Sequence, residues 1–283
     1  MDYRLIKPIN NNVVLVSDLE TQEQSVLMAK GIGFNQKVGQ IISDSEQEKQ
    51  VFKFWSGEEQ IQDVSYDKRE VETIVKSIVY LAEEKLSIHS KSLYPTLLDH
   101  IIFAIDRLNF GIPIENPFID EISIFYQAEY EIAEKSVEMI REKLNINMGK
   151  SESGFIALHL YSAKKDKSID VPIENVRMFH QIIRFLSDYI GKGLNMNSVA
   201  VRSFLLSIDC IVHTNQKGKL LTMPCKSEIE KKMVESHTLA LKIIEIIEKE
   251  TGQQFNEDDI GFITVDIEKL RQVISESNER KGG

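Results

Sequence analysis

Gly154-Phe155-Ile156-Ala157-Leu158-His159-Leu160 returns 107 residues later as Gly261-Phe262-Ile263-Thr264-Val265-Asp266-Ile267. The same ungapped shift pairs Ala133 with Ala240, Lys135 with Lys242, Glu138 with Glu245 and Ile140 with Ile247, and farther upstream Leu98 with Leu205 and Ile101 with Ile208. A period of this length exceeds the roughly 20–50 residues of solenoid repeats. It marks two copies of one domain, at residues 60–170 and 171–280. Apolar residues in these copies keep i, i+3, i+4 spacing: Val71, Ile74, Val75, Ile78, Val79 and Ala82; Leu97, Leu98, Ile101, Ile102 and Ile105; Ile132, Val137 and Ile140. That spacing puts one apolar stripe on each helix, so both copies are expected to be all-α. Breaks are expected at Pro113, Pro117, Pro172 and Pro224, and Lys164-Lys165-Asp166-Lys167-Ser168 reads as the polar link between the copies.

Residues 1–56 have a different character. Val13-Val14-Leu15-Val16, Ser25-Val26-Leu27-Met28, Gln40-Ile41-Ile42 and Gln50-Val51-Phe52-Lys53-Phe54 are short runs separated by turn-forming residues, which predicts about four antiparallel strands. Asn10-Asn11-Asn12 and Lys30-Gly31-Ile32-Gly33-Phe34 are the turn signals, because Asn and Gly tolerate the left-handed backbone. So small a sheet has little core of its own and calls for a partner surface. The fold class is therefore α+β multidomain: a small antiparallel sheet followed by two homologous helical bundles.

The chain has 34 basic and 44 acidic residues, a net charge of −10, which disfavours nucleic-acid binding through a broad basic coat. The acidity is uneven: residues 1–55 carry 6 basic and 7 acidic side chains, so the sheet segment is nearly neutral and remains free to bind nucleic acid. No apolar run approaches the ~20 residues of a membrane-spanning helix, and the first residues lack the apolar core of a secretory signal. With two cysteines, Cys210 and Cys225, a disulfide framework is not expected, and a cytoplasmic protein with reduced thiols is. There is no His-Glu-x-x-His, Cys-x-x-Cys or P-loop, and Gly31-Ile32-Gly33 lacks the third glycine of a dinucleotide fingerprint. No cofactor or metal is expected.

The repeat also compares the copies position by position. His100 falls opposite Ser207, and His159 falls opposite Asp266. A histidine in an apolar helix is ordinarily a buried, hydrogen-bonded residue. Its other use is nucleophilic, since a neutral imidazole attacks phosphorus at neutral pH and a carboxylate such as the preceding Asp99 orients it. His89, His180, His213 and His237 have no histidine counterpart at this shift, and His213 and His237 read as structural or exposed.

Taken in order, Lys7-Pro8-Ile9-Asn10-Asn11-Asn12-Val13, Lys30-Gly31-Ile32-Gly33-Phe34, Thr96-Leu97-Leu98-Asp99-His100-Ile101 and Gly154-Phe155-Ile156-Ala157-Leu158-His159 resemble the BglG/SacY-type transcriptional antiterminators along essentially the whole chain. The first two motifs match the co-antiterminator RNA-binding domain (CAT). The last two match the phosphotransferase-system regulation domain (PRD). The resemblance implies a β domain that dimerises and binds an RNA hairpin in a nascent leader transcript, excluding a terminator. It implies phosphoacceptor histidines at His100 and His159, with a sugar-specific permease component acting through the first PRD and HPr through the second, and RNA-contact positions at Lys7, Asn12, Lys30 and Phe34. Asn10 joins them on chemistry, since its amide donates and accepts at base edges while Phe34 stacks on an unpaired base. Two departures stand out. Ala29-Lys30 replaces the family's common Gly-Arg, and Lys lacks the guanidinium fork. Ser207 and Asp266 cannot form phosphohistidine, so the second PRD is expected to be a scaffold rather than a switch, and HPr-dependent activation is doubtful.

Three other readings give different expectations. A DNA-binding PRD regulator needs a helix-turn-helix ahead of the repeats, and the sequence has none. A metal hydrolase using His100, His159 and nearby carboxylates needs a third ligand within coordination distance. A pure interaction module predicts that residues 1–56 bind no hairpin.

Overall fold

The computed structural model describes residues 2–9, 13–29, 31–43, 52–54, 66–109, 115–190, 194–219 and 221–279. Packing divides the chain into two compact units, Met1–Asn116 with Ala128–Asp166, and Pro117–Gln127 with Lys167–Gly283.

The first unit opens with a sheet of five described strands, β1 (Asp2–Pro8), β2 (Val13–Asp18), β3 (Gln24–Met28), β4 (Ile41–Ser43) and β5 (Phe52–Phe54), in the order β4-β1-β2-β3-β5. Every pairing is antiparallel. The strand beyond the expected four is β1, where buried Tyr3 and Leu5 alternate with exposed Asp2 and Arg4. That alternation is the period of a half-buried strand. A register shift between Leu5 and Lys7 marks a bulge in β1 opposite β2. Asp18 ends β2 by accepting the backbone N–H groups of Glu20 at 2.8 Å and Thr21 at 3.1 Å, which turns the chain into β3. Tyr3, Leu5, Val14, Val16, Leu27, Ala29, Ile32 and Ile42 form the core on one face. On the other face Val13 and Val26 are fully buried, with Ile9, Leu15 and Phe103 packed against them.

The helices are α1 (Lys68–Leu86), α2 (Leu93–Asn109), α3 (Ile119–Phe125), α4 (Gln127–Leu144), α5 (Gly149–Lys165), α6 (Asp170–Ile190), α7 (Val199–Gln216), α8 (Lys226–Lys232), α9 (Val234–Thr251) and α10 (Glu257–Glu279). The expected stripes are the buried ones: Val71, Ile74, Val75, Ile78 and Ala82 on α1, and Leu97, Ile101 and Ile105 on α2. Asp67 caps α1 by accepting the Arg69 N–H, and Ser198 caps α7 by accepting the Val201 N–H. Pro172 does not break the chain but sits buried in the first turn of α6, where the missing N–H would have had no helical partner. Pro113 lies outside the described residues.

A shift of 107 residues carries α3 onto α8 and α4 onto α9, and α2 and α5 onto α7 and α10 to within one residue at their starts. Fine detail repeats as well. The Asn116 N–H donates to Ser151 Oγ at 3.1 Å, and the equivalent Met223 N–H donates to Asp258 Oδ1 at 3.2 Å. This close approach accounts for the glycine in the repeated motif, since a Cβ on Gly261 would lie 2.9 Å from Met223 Cγ. One element breaks the symmetry. The short helix α8 packs on α9 and α10, whereas its counterpart α3 packs on α6 of the second unit. There Phe125 stacks on Phe179 at 4.0 Å, Ile124 joins the core, and buried Glu121 meets His180 Nδ1 at 2.9 Å.

Candidate functional site

The antiparallel seam of α2 and α5 brings the first copy's histidines together. Positions seven apart lie on one face of a helix, so His100 and Arg107 share a face of α2, and Glu152 and His159 share a face of α5. The His100 and His159 ring centroids are 4.8 Å apart with planes inclined at 45°. His100 is 16% exposed at its side chain and His159 is half-buried. Both are reachable from the surface without being free in solvent.

Below the rings lies an ion pair that the sequence reading did not find. Arg107 and Glu152 are 2% and 1% exposed and joined by a guanidinium–carboxylate bond. Glu152 Oε2 also stands 3.1 Å from His100 Nε2, bent away from a linear hydrogen bond. Burial works to raise the Glu152 carboxyl, but His100 and Arg107 outweigh it and hold the group below its ordinary range. The carboxylate at the His100 ring nitrogen is therefore Glu152 and not Asp99, which is exposed on the neighbouring helical position. The signal was present: Glu152 is one heptad before His159, Arg107 one heptad after His100, and both sit among residues of an apolar stripe.

The second copy is built differently at the same places. Ser207 Oγ donates to Asp266 Oδ2 at 2.5 Å, and Lys269 Nζ holds Asp266 Oδ1 at 3.1 Å. Arg107 is replaced by Thr214 and Glu152 by Asp259. Asp259 Oδ2 accepts the Asn256 N–H at 3.1 Å, while Asn256 Oδ1 accepts the N–H groups of Asp258 and Asp259, a reciprocal cap on α10. The acidic run Glu257-Asp258-Asp259 thus opens a helix, where the helix dipole favours its charge.

His213 contacts Asp209 on its own helix with 46% of its side chain exposed, and His237 is half-buried with Thr264 Oγ1 at 3.4 Å. Lys164, at the start of the stretch read as a polar link, holds the buried Glu129 carboxylate at 2.8 Å. Cys210 and Cys225 are free and exposed. Among the described residues no group of three or more His, Cys, Asp or Glu could hold a metal, and no helix is long and apolar enough to cross a membrane.

On the sheet, Lys7 is exposed near the end of β1, and Phe34 is 62% exposed in the turn after β3. Phe34 is not a core residue. Gly31 at φ 76° and Asn35 at φ 57° take the left-handed backbone that shapes this turn, and the Phe34 N–H closes on the Gly31 carbonyl at 3.1 Å. Asn10, Asn12 and Lys30 lie outside the described residues.

Comparison with known proteins agrees with this organisation. The PRD domain family model matches residues 72–163 and 180–270, and the CAT RNA binding domain model matches residues 3–60. The chain is 29% identical to the "GlcA/glcB genes antiterminator" of Staphylococcus carnosus, over 96% of each chain. It is 28% identical to "Protein GlcT" of Staphylococcus epidermidis, over 96% of this chain and 98% of that one. It is 26% identical to "Protein GlcT" of Staphylococcus aureus, over 98% and 99%. A solved structure, "Crystal structure of GlcT CAT-PRDI", is 32% identical and covers 58% of this chain and 98% of its own, with a TM-score of 0.33.

Proposed function

The chain belongs to the PRD family and carries a CAT RNA-binding domain ahead of two PRD copies, and we propose that it is a transcriptional antiterminator whose hold on RNA is set by phosphoryl transfer to its first PRD. Residues 1–56 bind a hairpin in a nascent leader transcript as a homodimer, and that hairpin excludes a terminator. Residues 60–170 form the switched module and 171–280 the second PRD. Lys7, Asn10, Asn12, Lys30 and Phe34 contact the RNA, with the lysines at phosphates, the amides at base edges and Phe34 stacked on an unpaired base. His100 and His159 accept phosphoryl groups from phosphotransferase proteins, a sugar-specific permease component above all. Ser207 and Asp266 take no part in the transfer.

The observation that carries this reading is the placement of two jobs on α2. His100 faces His159 across the seam, and Phe103, one turn on, packs against Val13 and Val26 of the sheet. A phosphoryl group brings up to about two negative charges and three acceptor oxygens, as it does on other side chains. Set beside the ionised Glu152, that charge must repel, and relief comes from shifting α2 against α5 and therefore against the sheet. A change of a few kcal/mol at one helix is enough to move a population between two arrangements.

The test uses hairpins selected from a randomised RNA pool by the full chain. The unphosphorylated chain and the chain treated with phosphorylated HPr and a permease component are expected to differ in hairpin affinity. That difference should vanish in the His100→Ala/His159→Ala variant. Phe34→Ala should weaken hairpin binding by about 1–3 kcal/mol while leaving the melting temperature unchanged, because this side chain is 62% exposed. Equal hairpin affinity in all four samples would reject the reading.

A further inference from the structure

Resting on the reading of His100 as a phosphoacceptor, we propose that Glu152, fixed by Arg107, is the positioning residue for that transfer, holding His100 through Nε2 so that Nδ1 receives the phosphoryl group.

Three observations converge. First, His100 Nε2 is buried and faces Glu152 Oε2 at 3.1 Å. A carboxylate there accepts a proton and offers none, which favours the tautomer with hydrogen on Nε2 and the lone pair on Nδ1. Second, Glu152 is kept ionised against its burial by His100 and Arg107 together. Third, a buried guanidinium–carboxylate pair is a poor way to stabilise a helical seam, since two charges lose their water and apolar residues of similar size serve as well or better. The second copy supplies the internal control. It has the same helices at the 107-residue shift yet places Thr214 and Asp259 at these positions, and there Asp259 caps α10. The ion pair accompanies the histidines and is absent where they are absent, which is the pattern of a part of the site rather than of the fold.

In the transfer, the Nδ1 lone pair forms the new P–N bond while the donor's P–N or P–S bond breaks, its electron pair leaving with the donor side chain. The Nε2 proton stays in place. The ring gains positive character as the bond forms, and the Glu152 carboxylate faces that charge at the nitrogen where it is shared. The bent contact in the resting site tightens as this happens, in the way that reactive hydrogen bonds commonly do.

The experiment treats the full chain with phosphorylated HPr and a sugar-specific permease component, reads the rate of labelling at His100, and assigns the phosphohistidine isomer by phosphorus–proton NMR. The wild type should carry phosphate on Nδ1. In Glu152→Gln the amide can donate to Nε2 and favour the opposite tautomer, so labelling should fall about tenfold or more and the isomer should move toward Nε2. The double variant Arg107→Met/Glu152→Met removes both charges together, which keeps the seam packed. It should also label slowly, with the two isomers mixed. A structural role would leave the isomer unchanged. Wild-type phosphate on Nε2, or variants that match the wild type in rate and isomer, would overturn the inference while leaving His100 an acceptor. No label on His100 in any sample would overturn the underlying reading itself.

Discussion

His100 and His159 in the first copy and Ser207 and Asp266 in the second occupy the same positions of matching helices, yet one pair is two half-buried imidazoles 4.8 Å apart and the other a hydroxyl bound to a carboxylate at 2.5 Å. Beneath the first pair is a buried ion pair, and at the equivalent places of the second are Thr214 and a helix cap. On the proposed reading, the difference shows how one fold separates a switch from a scaffold. The proposed switch keeps two imidazoles within reach of solvent and stations charge below them, where an added phosphoryl group would be electrostatically costly. The scaffold satisfies its polar atoms locally: Asp266 is held by Ser207 and Lys269, and no reactive nitrogen remains at either position.

The comparison can be broken by matched substitutions. Glu152→Ala breaks the buried pair with Arg107 and is expected to destabilise the first unit by about 3–5 kcal/mol, read from urea unfolding of the full chain. At the equivalent place Asp259→Ala removes one capping bond of α10, with an expected loss of about 1 kcal/mol. Equal losses at the two positions would mean that Glu152 is not the centre of a charged site. Asp266→Ala should cost about 1 kcal/mol or less, since it removes a Ser207 bond that is near the surface, and hairpin affinity after phosphoryl transfer should match the wild type.

The smallest expected effect sharpens a second contrast, between two carboxylate–histidine contacts. Glu152 lies below the ordinary 4.5 of a glutamate because His100 and Arg107 outweigh its burial. Its contribution to stability is complete above that value and fades as pH falls through the folded value. Glu121 is raised by burial, and its contact with His180 offsets this only in part. Its contribution is complete below 4.5 and fades as pH rises through the folded value. Acidification from neutral pH should therefore loosen the α2–α5 seam while firming the contact of α3 with α6. Amide protection factors on α5 and α6, corrected for intrinsic exchange, would show opposite trends. Parallel trends would contradict the assignment of the two environments.

Much of this was legible in the residues. The 107-residue shift reports matching helices because each copy must repeat its apolar stripe to bury the same seam, and Ile101, Ile105, Ile208 and Val212 are all buried. The repeated glycine motif was legible in the sequence, and at Gly261 the reason is that a Cβ would lie 2.9 Å from Met223 Cγ. Strand β1 was overlooked because Lys7-Pro8 obscures the plain alternation of Tyr3 and Leu5. Long-range pairing was harder to read. The heptad spacing puts Arg107 on the face of His100 and Glu152 on the face of His159, but it does not say that the two meet, since they come from different helices 45 residues apart. The exchange of α3 into the second unit was hidden for the same reason: Ile119–Phe125 carries Ile124 and Phe125 where its counterpart Lys226–Lys232 carries Lys231 and Lys232, but nothing local says that α6 covers them. Lys164 read as part of a polar link, and its buried partner Glu129 lies 35 residues away on another helix.

The most direct measurement is peptide mapping of phosphohistidine by mass spectrometry under neutral conditions, after the full chain has been treated with phosphorylated HPr and a sugar-specific permease component. The account expects phosphate on His100 and His159 and none on peptides from residues 171–280. Phosphate on His180, His213 or His237, with His100 and His159 bare, would contradict it.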